Sequence, residues 1–164
     1  MNPRRIGLVG AVALAIFGLD RLTKAIVASS LPLGDSVAVV GPYVRITHVR
    51  NTGAAFGLLP ERTTLLSILS VVAVIAILYY YRQLAARSPF IAVTLGMQLG
   101  GAFGNLIDRI GQGYVVDFVD VGLDPSPRFW AFNVADSSIV VGILLVIVAL
   151  WWEERSVARP TPVS

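Results

Sequence analysis

Four long apolar stretches, separated by polar or turn-rich segments, dominate the pattern of the chain. The first covers residues 6–27, and the others cover 63–81, 89–107 and 133–152. At 1.5 Å per residue, a helix of about 20 residues spans about 30 Å, the thickness of the hydrocarbon core of a bilayer. The pattern therefore predicts a mainly α membrane protein with four transmembrane helices.

The first apolar stretch also has a second interpretation. Two arginines precede it and small residues follow it, which is the pattern of a cleavable signal peptide. Helical extension as far as Val27 favours a span, because the stretch is then long enough to cross the bilayer. On that helix Asp20, Thr23 and Lys24 share one face, since they are three and four residues apart. A polar cluster is therefore expected near the far end of the first span.

The segment between the first two spans has the pattern of a small β structure. Two β-branched runs, SVAVV and YVRITHV, are bounded by glycine, proline and aspartate, which predicts a hairpin or small sheet at residues 36–49. Asn51 and Gly53 follow in the sequence NTGAAFG. They indicate either irregular backbone that re-enters the membrane interface or an ordinary turn.

Composition supports an integral membrane protein of a single domain, residues 1–164. The chain is 55% hydrophobic and only 14% charged, and its mean hydropathy is +0.75. The net charge of +3 comes from basic residues at the ends of segments, so we expect membrane anchors and no nucleic-acid partner. With no cysteine and a single histidine, a metal site is improbable unless carboxylates alone form it. That histidine, His48, is expected to be solvated in an exposed loop.

The basic residues next to the spans predict an orientation. In a four-span chain, three pairs of arginines lie on the same side of the membrane: Arg4, Arg5, Arg82, Arg87, Arg155 and Arg159. By the positive-inside rule that side is the cytoplasm, where both termini would then lie. The remaining polar residues converge on the opposite, outer boundary: Asp20, Lys24, Asn51, Asn105, Arg109, Asp117, Asn133 and Asp136. This convergence predicts a functional site there.

The third and fourth spans contribute most of these polar groups. Four glycines at 96, 100, 101 and 104 form overlapping small-xxx-small spacings, which predict close helix packing. Asn105, Asp108 and Arg109 follow on one face, where Arg109 either reaches the interface or binds a carboxylate or backbone carbonyls. Asn133 and Asp136 are spaced as an N-cap and its capping-box partner, a purely structural alternative for both residues.

The candidate chemistry narrows to a pair of carboxylates. Ser29 and Ser30 are five and six residues from Lys24 and face elsewhere on a helix, which disfavours a serine–lysine dyad, and a triad through His48 is disfavoured by its expected exposure. Two aspartates in a poorly solvated place share a proton, because both cannot ionise easily. Such a pair can hydrolyse a peptide bond by acid–base catalysis. A proton-coupled transporter and a noncatalytic assembly factor remain open alternatives.

Five motifs together carry a resemblance to a known family: DRLTK (20–24), NTGAAFG (51–57), GGAFGNLIDR (100–109), VVDF (115–118) and FNVADSSI (132–139). In this order the chain resembles the bacterial lipoprotein signal peptidases, signal peptidase II. The resemblance implies an aspartyl endopeptidase of the bacterial inner membrane. Such an enzyme removes the signal peptide of a diacylglyceryl-modified prolipoprotein, cutting before the lipidated cysteine, with its active site near the outer leaflet.

The resemblance also implies roles for individual residues. Asp117 and Asp136 correspond to the catalytic dyad, while Asp20 and Lys24 would organise the upper ends of the helices. Six further residues would support the dyad or bind substrate: Asn51, Gly53, Asn105, Arg109, Asn133 and Ala135. The family fold implies a β-rich cradle outside the membrane and a short helix or flap near residues 118–128. The expected partners are the lipid-modified prolipoprotein and membrane lipid, with no cofactor or metal, and the protein is expected to be a monomer.

Overall fold

Four long helices form the bulk of this computed structural model, which describes residues 3–53, 62–122 and 129–157. They are α1 (Pro3–Ser30), α2 (Thr63–Ala85), α3 (Pro89–Gln112) and α4 (Val134–Val157). All four are long and apolar enough to cross a membrane, so the predicted mainly α membrane fold is confirmed. The helix α3 ends five residues later than predicted, which places Asp108 and Arg109 within it.

The helix α3 occupies the centre of the bundle. It packs against α1, α2 and α4, and most of its residues are buried. A Cβ atom added at Gly100 would lie 2.5 Å from the Ala13 carbonyl oxygen of α1, and one at Gly101 would lie 2.5 Å from the Ala135 carbonyl oxygen of α4. The predicted close packing of the glycine face is therefore confirmed. The other helices leave most of their apolar side chains exposed, as lipid-facing surfaces require.

A three-stranded antiparallel sheet lies beyond one end of the bundle. Its strands are β1 (Ser36–Val40), β2 (Val44–Asn51) and β3 (Val115–Val121), in the order β1-β2-β3. The first two strands confirm the hairpin predicted at 36–49. Pairing of Val49 with Asp117 and of Asn51 with Val115 brings the two loop segments of the chain together.

Two expectations about these loops need correction. The third strand was not predicted, and residues 118–121, which the resemblance placed in a short helix or flap, belong to β3. Residues 123–128 of that segment, and residues 54–57 of NTGAAFG, lie outside the described residues. The expectation that His48 is solvated is wrong, because its side chain is buried and its Nδ1 lies 2.8 Å from the Leu31 carbonyl oxygen. This contact uses a carbonyl at the end of α1 that has no partner within the helix.

Candidate active site

The first aspartate of the predicted pair, Asp117, lies in β3 with its side chain directed into the protein. It is 1% exposed. Asn51, at the end of the neighbouring strand, donates from Nδ2 to Asp117 Oδ2 at 2.7 Å, and Asn133 donates from Nδ2 to Asp117 Oδ1 at 2.6 Å. The Oδ1 atom of Asn51 accepts from the Gly53 backbone N–H at 2.8 Å, which closes an Asx turn and fixes the orientation of the amide.

The second aspartate, Asp136, lies in the first turn of α4. Asn133 caps this helix, because its Oδ1 accepts from the Asp136 backbone N–H at 2.9 Å, and its own N–H donates to Asp136 Oδ2 at 3.3 Å. This reciprocal pair is the predicted capping box. The other carboxylate oxygen of Asp136 accepts from Asn105 Nδ2 at 2.7 Å. The capping interaction and the contact with Asp117 therefore share one residue, Asn133.

These contacts define a dyad cluster, which consists of Asp117, Asp136, Asn51, Asn105 and Asn133. Within it the two carboxylates receive hydrogen bonds from neutral amides and from a backbone N–H. Among the residues that the structure describes, no lysine or arginine forms an ion pair with either carboxylate. The negative charge of the cluster is therefore hydrogen-bonded without being neutralised by a direct cation partner.

A second cluster lies directly behind the first, and we refer to Asp20, Arg21, Lys24 and Asp108 as the ion-pair cluster. Lys24 Nζ lies 2.7 Å from Asp20 Oδ2 and 2.8 Å from Asp108 Oδ2, and Arg21 pairs with the other oxygen of Asp108. Lys24 also donates to Asn105 Oδ1 at 2.9 Å, which links the two clusters. The lysine is thus fully engaged in structural contacts, which agrees with the low expectation for a serine–lysine dyad.

Ala135 and Asp20 join α4 to α1. The Ala135 N–H donates to Asp20 Oδ1 at 3.0 Å, so a carboxylate of one helix satisfies an N-terminal backbone donor of another. Ala135 is completely buried, and its Cβ lies 3.5 Å from the position of a Cβ added at Gly104. A small side chain is therefore required at this crossing.

Arg109 lies beside the dyad and directs its guanidinium toward the loop after β2. Its Nη2 is 3.4 Å from the Gly53 carbonyl oxygen. No described residue accepts a hydrogen bond from its buried Nε. Of the two alternatives that the sequence left open, contact with a backbone carbonyl is the one observed.

Burial changes the acidity of Asp117, which lies outside the membrane-spanning helices. The pKa of its carboxyl is raised to about 7, chiefly because burial disfavours the ionised form, and the charge of Asp136 acts in the same direction. Donation from Asn51 and Asn133, together with the charge of Lys24, opposes this increase. Asp117 can therefore hold or release a proton near neutral pH.

Among the described residues, three cavities border the dyad cluster, and one of them, of about 320 Å³, lies against Asp136, Ser137 and Val140 of α4. A groove of about 480 Å³ between α2, α3 and α4 reaches Asn105, Arg109 and Asp136. A smaller cavity of about 270 Å³ lies on the other side and is lined by Asn51, Gly53, Asp117 and Trp130. Each aspartate thus borders a cavity large enough for part of an extended peptide.

Comparison with known proteins places the chain in a family. The family model for signal peptidase (SPase) II matches residues 12–152. The chain belongs to the signal peptidase II family. The lipoprotein signal peptidase of Halothermothrix orenii is 39% identical over 149 residues, which cover 90% of this chain and 98% of that protein. That of Staphylococcus aureus strain JH9 is 38% identical over 145 residues, 88% of each chain.

Solved structures agree with this membership. A bacterial membrane enzyme determined by the in meso method at 2.3 Å resolution has a TM-score of 0.85 and 35% identity, and the match covers 97% of this chain and 96% of that one. A second such enzyme, at 1.9 Å, has a TM-score of 0.76 and 37% identity over 88% of this chain and 93% of that one. As a signal peptidase II, the protein is a multi-pass bacterial membrane peptidase, which decides against the transporter and the noncatalytic assembly factor.

Of the ten residues that the resemblance singled out, nine lie in the two clusters or form a hydrogen bond with them, and Arg109 contacts one of these nine, Gly53. Two neighbours were missed as site residues: Arg21, which lies within the DRLTK motif, and Asp108, which was noted only as part of a polar helix face. The sequence feature that could have identified Asp108 as a site residue is its spacing of three residues from Asn105 on α3. Its partner Lys24 lies on another helix, so the ion pair required the tertiary structure.

Proposed function

We propose that this signal peptidase II cleaves the signal peptide from lipid-modified prolipoproteins with Asp117 and Asp136 as its catalytic pair. The observation that carries the assignment is the dyad cluster itself. Two carboxylates from different elements share Asn133, border cavities and form no ion pair with a described lysine or arginine. Such a pair can hold a single proton, which acid–base hydrolysis needs.

The different environments of the two carboxylates support different catalytic roles for them. Asp117, with its pKa of about 7, carries the shared proton and donates it to the scissile carbonyl oxygen. Asp136 lies in the first turn of α4, where the helix dipole favours an anion, and takes a proton from the attacking water. The resulting tetrahedral intermediate then collapses as the amine leaves with a proton from the pair, and no covalent intermediate with the enzyme forms.

Arg109 and the loop after β2 are suited to hold the substrate backbone. The guanidinium lies near the Gly53 carbonyl and retains a buried Nε–H without an acceptor among the described residues. A carbonyl of the bound peptide would satisfy that donor, because arginine presents several N–H groups in a fixed plane. In this proposal Arg109 binds substrate, whereas Asn51, Asn105 and Asn133 hold the two carboxylates in position.

The arginine distribution supports an orientation with both termini in the cytoplasm and the dyad at the outer leaflet. A prolipoprotein anchored by its signal peptide and its diacylglyceryl chains would then reach the dyad laterally from the lipid, with the scissile bond already near the correct depth. The prolipoprotein thus reaches the dyad through the membrane lipid. A single chain supplies every group named here, so we infer that a monomer is sufficient.

The test is cleavage of a diacylglyceryl-modified prolipoprotein by purified protein in lipid, with Asp117→Asn and Asp136→Asn compared with the native form. We expect each variant to lose more than about 1,000-fold in turnover, because each carboxyl group has a separate proton-transfer role. The matched control is Asp35→Asn, which changes an exposed aspartate in the turn before β1. Unmodified prolipoprotein serves as the substrate control. Turnover retained by either dyad variant, with its helical content unchanged, would contradict the assignment.

A further inference from the structure

Two polar side chains outside the site line the groove that leads away from Asp136: Ser70, whose hydroxyl donates to the Leu66 carbonyl oxygen at 2.8 Å, and Gln98. The deeper part of this groove is lined by apolar residues of three helices, among them Ala73, Ile77 and Ile143. Gln98 of α3 lies among them, well within the predicted third span. A carboxamide at this depth is costly unless it is hydrogen-bonded, because the hydrocarbon interior offers no water to replace a missing partner.

The donor of this carboxamide is not satisfied by the residues that the structure describes. Among residues 3–53, 62–122 and 129–157, the buried Gln98 Nε2 forms no hydrogen bond. The side chain lies across Gly142 of α4, where an added Cβ would come within 2.8 Å of Gln98 Cγ. The missing side chain at Gly142 therefore makes room for the glutamine at the boundary between α3 and α4.

Gln98 is aligned with the residues that contact the dyad. Asn105 follows it by seven residues, close to two turns, so the two side chains lie on the same stripe of α3 and both line the groove. At 1.5 Å per residue, the amide lies about 10 Å further into the membrane than Asn105, which binds Asp136. The groove thus offers one donor at a fixed depth below the reacting groups.

A signal peptide bound here has a matching unsatisfied group. Its membrane segment must be helical to satisfy its own backbone, but the two carboxyl groups can reach a scissile bond only if the chain near it is extended. Where that helix ends, its last carbonyl groups have no intrahelical partner. An extended chain rises about 3.3 Å per residue, so about three residues bridge the roughly 10 Å of depth between Gln98 and Asn105, which binds Asp136.

We propose that the Gln98 side-chain amide donates a hydrogen bond to a backbone carbonyl of the bound signal peptide, about three residues before the cut, where the peptide's helix ends. The inference rests on the proposed function, because it assumes that the signal peptide occupies this groove. Gln98 is then a positioning residue that sets which bond lies over the dyad. It recognises backbone and not a particular side chain, so it contributes to every substrate.

The first test measures kcat/KM for a diacylglyceryl-modified prolipoprotein with Gln98→Leu. We expect a loss of about three- to tenfold, the size of one hydrogen bond in a membrane environment. The matched control is Gln83→Leu, the same substitution at an exposed position near the end of α2. An unchanged kcat/KM for Gln98→Leu would overturn the proposal.

The second test changes the substrate and needs no variant that could fail to fold. Semisynthetic prolipoproteins carry an ester in place of one peptide bond, which weakens the carbonyl acceptor of the second, third, fourth or fifth residue before the cut. We expect the native protein to cleave one of these esters about three- to tenfold more slowly than the amide, and Gln98→Leu to show no such difference. Equal ester effects in both proteins, or none in the native protein, would overturn the proposal.

These outcomes are separable from a failure of the proposed function. If native protein cleaves the prolipoprotein and both dyad variants do not, the proposed function stands whatever Gln98→Leu does. If native protein does not cleave it, or a dyad variant does, the proposed function fails. If native protein does not cleave the prolipoprotein, the groove binds no substrate that is cut, and the assignment of Gln98 fails as well.

Discussion

The dyad cluster and the ion-pair cluster lie next to each other at one end of the bundle, but their carboxylates have different kinds of partner. Asp20 and Asp108 each lie within 2.8 Å of the Lys24 ammonium, and Arg21 adds a further cation. Asp117 and Asp136 receive amide and backbone hydrogen bonds instead. The same residue type therefore occurs in two electrostatic environments within one site.

The difference shows how a membrane-boundary site can keep one pair of carboxylates reactive. A cation in direct contact with a carboxylate favours its ionised form and opposes uptake of a proton. An asparagine satisfies the oxygens without supplying charge, so the proton can still be bound or released. Asn105 joins the two environments, since its Oδ1 accepts from Lys24 and its Nδ2 donates to Asp136.

The largest effect on the dyad cluster without removing a carboxylate should follow from Asn133→Asp. Aspartate preserves the N-cap of α4 but removes the Nδ2 donor to Asp117 and adds a third carboxylate beside the pair. We expect cleavage to fall more than about 100-fold, while helical content and expression remain near native. Rates are measured on the lipid-modified prolipoprotein.

The control for this change is Asn133→Ala, which removes both the donor and the cap. It should lose similar activity but also about 1 kcal/mol of stability, the usual contribution of an N-cap. Near-native turnover of Asn133→Asp would show that the hydrogen bond to Asp117 has no role in the reaction.

In the ion-pair cluster the corresponding change is Lys24→Met, which we expect to lower the stability of the folded protein. The substitution leaves Asp20 and Asp108 buried without the ammonium that they share. Removing one partner of a buried ion pair typically costs about 3–5 kcal/mol of folding free energy. Thermal unfolding in detergent is the measurement, with Arg62→Met as the surface control, because Arg62 is exposed just before α2. A Lys24→Met protein as stable as native would contradict the division between the two clusters.

The contrast between the two clusters was only partly predictable from the sequence. The four helices were predictable because span length is read directly from runs of apolar residues. The strand β3 was not, because VVDFVDV carries two aspartates, and its strand conformation depends on pairing with β2, which is more than sixty residues away in the chain. Asp108 and Asp117 are both aspartates near polar neighbours, and only the three-dimensional contacts show that one meets a lysine and the other two asparagines.

A smaller effect should follow where Gly104 lets α3 approach the ion-pair cluster. In Gly104→Ala the new Cβ would lie 2.6 Å from Asp20 Oδ2, so the carboxylate must move away from Lys24 or from the Ala135 N–H. Overpacking of this kind costs about 1–3 kcal/mol. Thermal unfolding should therefore show a clear decrease for this variant.

The matched control for Gly104→Ala is Gly111→Ala on the same helix. No described atom lies within 4 Å of a Cβ added at Gly111, and alanine is the better helix former, so this variant should be as stable as native or slightly more stable. If the two variants were equally stable, the close approach of Asp20 to Gly104 would not restrict the size of the side chain at position 104.

The smallest predicted effect is the pH dependence of cleavage, which tests the dyad cluster without any substitution. Asp117 must be protonated in the proposed mechanism, and its pKa of about 7 reports the pair, since Asp136 is one cause of the shift. Between pH 7 and pH 8 the protonated fraction falls from about one half to about one tenth. The rate should therefore decrease about fivefold. A rate that stays constant from pH 6 to pH 9 would contradict the assignment of Asp117 as the acid.

The same shift predicts a matching change in stability, and its sign follows from linkage. The pKa of Asp117 in the folded protein lies above the ordinary aspartate value of 3.8, so between about pH 4 and pH 7 the folded state binds more protons than the unfolded state. This contribution to the free energy of unfolding is therefore complete below about pH 4 and is lost as the pH rises through 7. Asp117→Asn should lack that decrease, whereas Asp35→Asn should retain it. If native protein and Asp117→Asn lost stability in parallel over this interval, the raised pKa could not be the origin of the proton that the dyad uses.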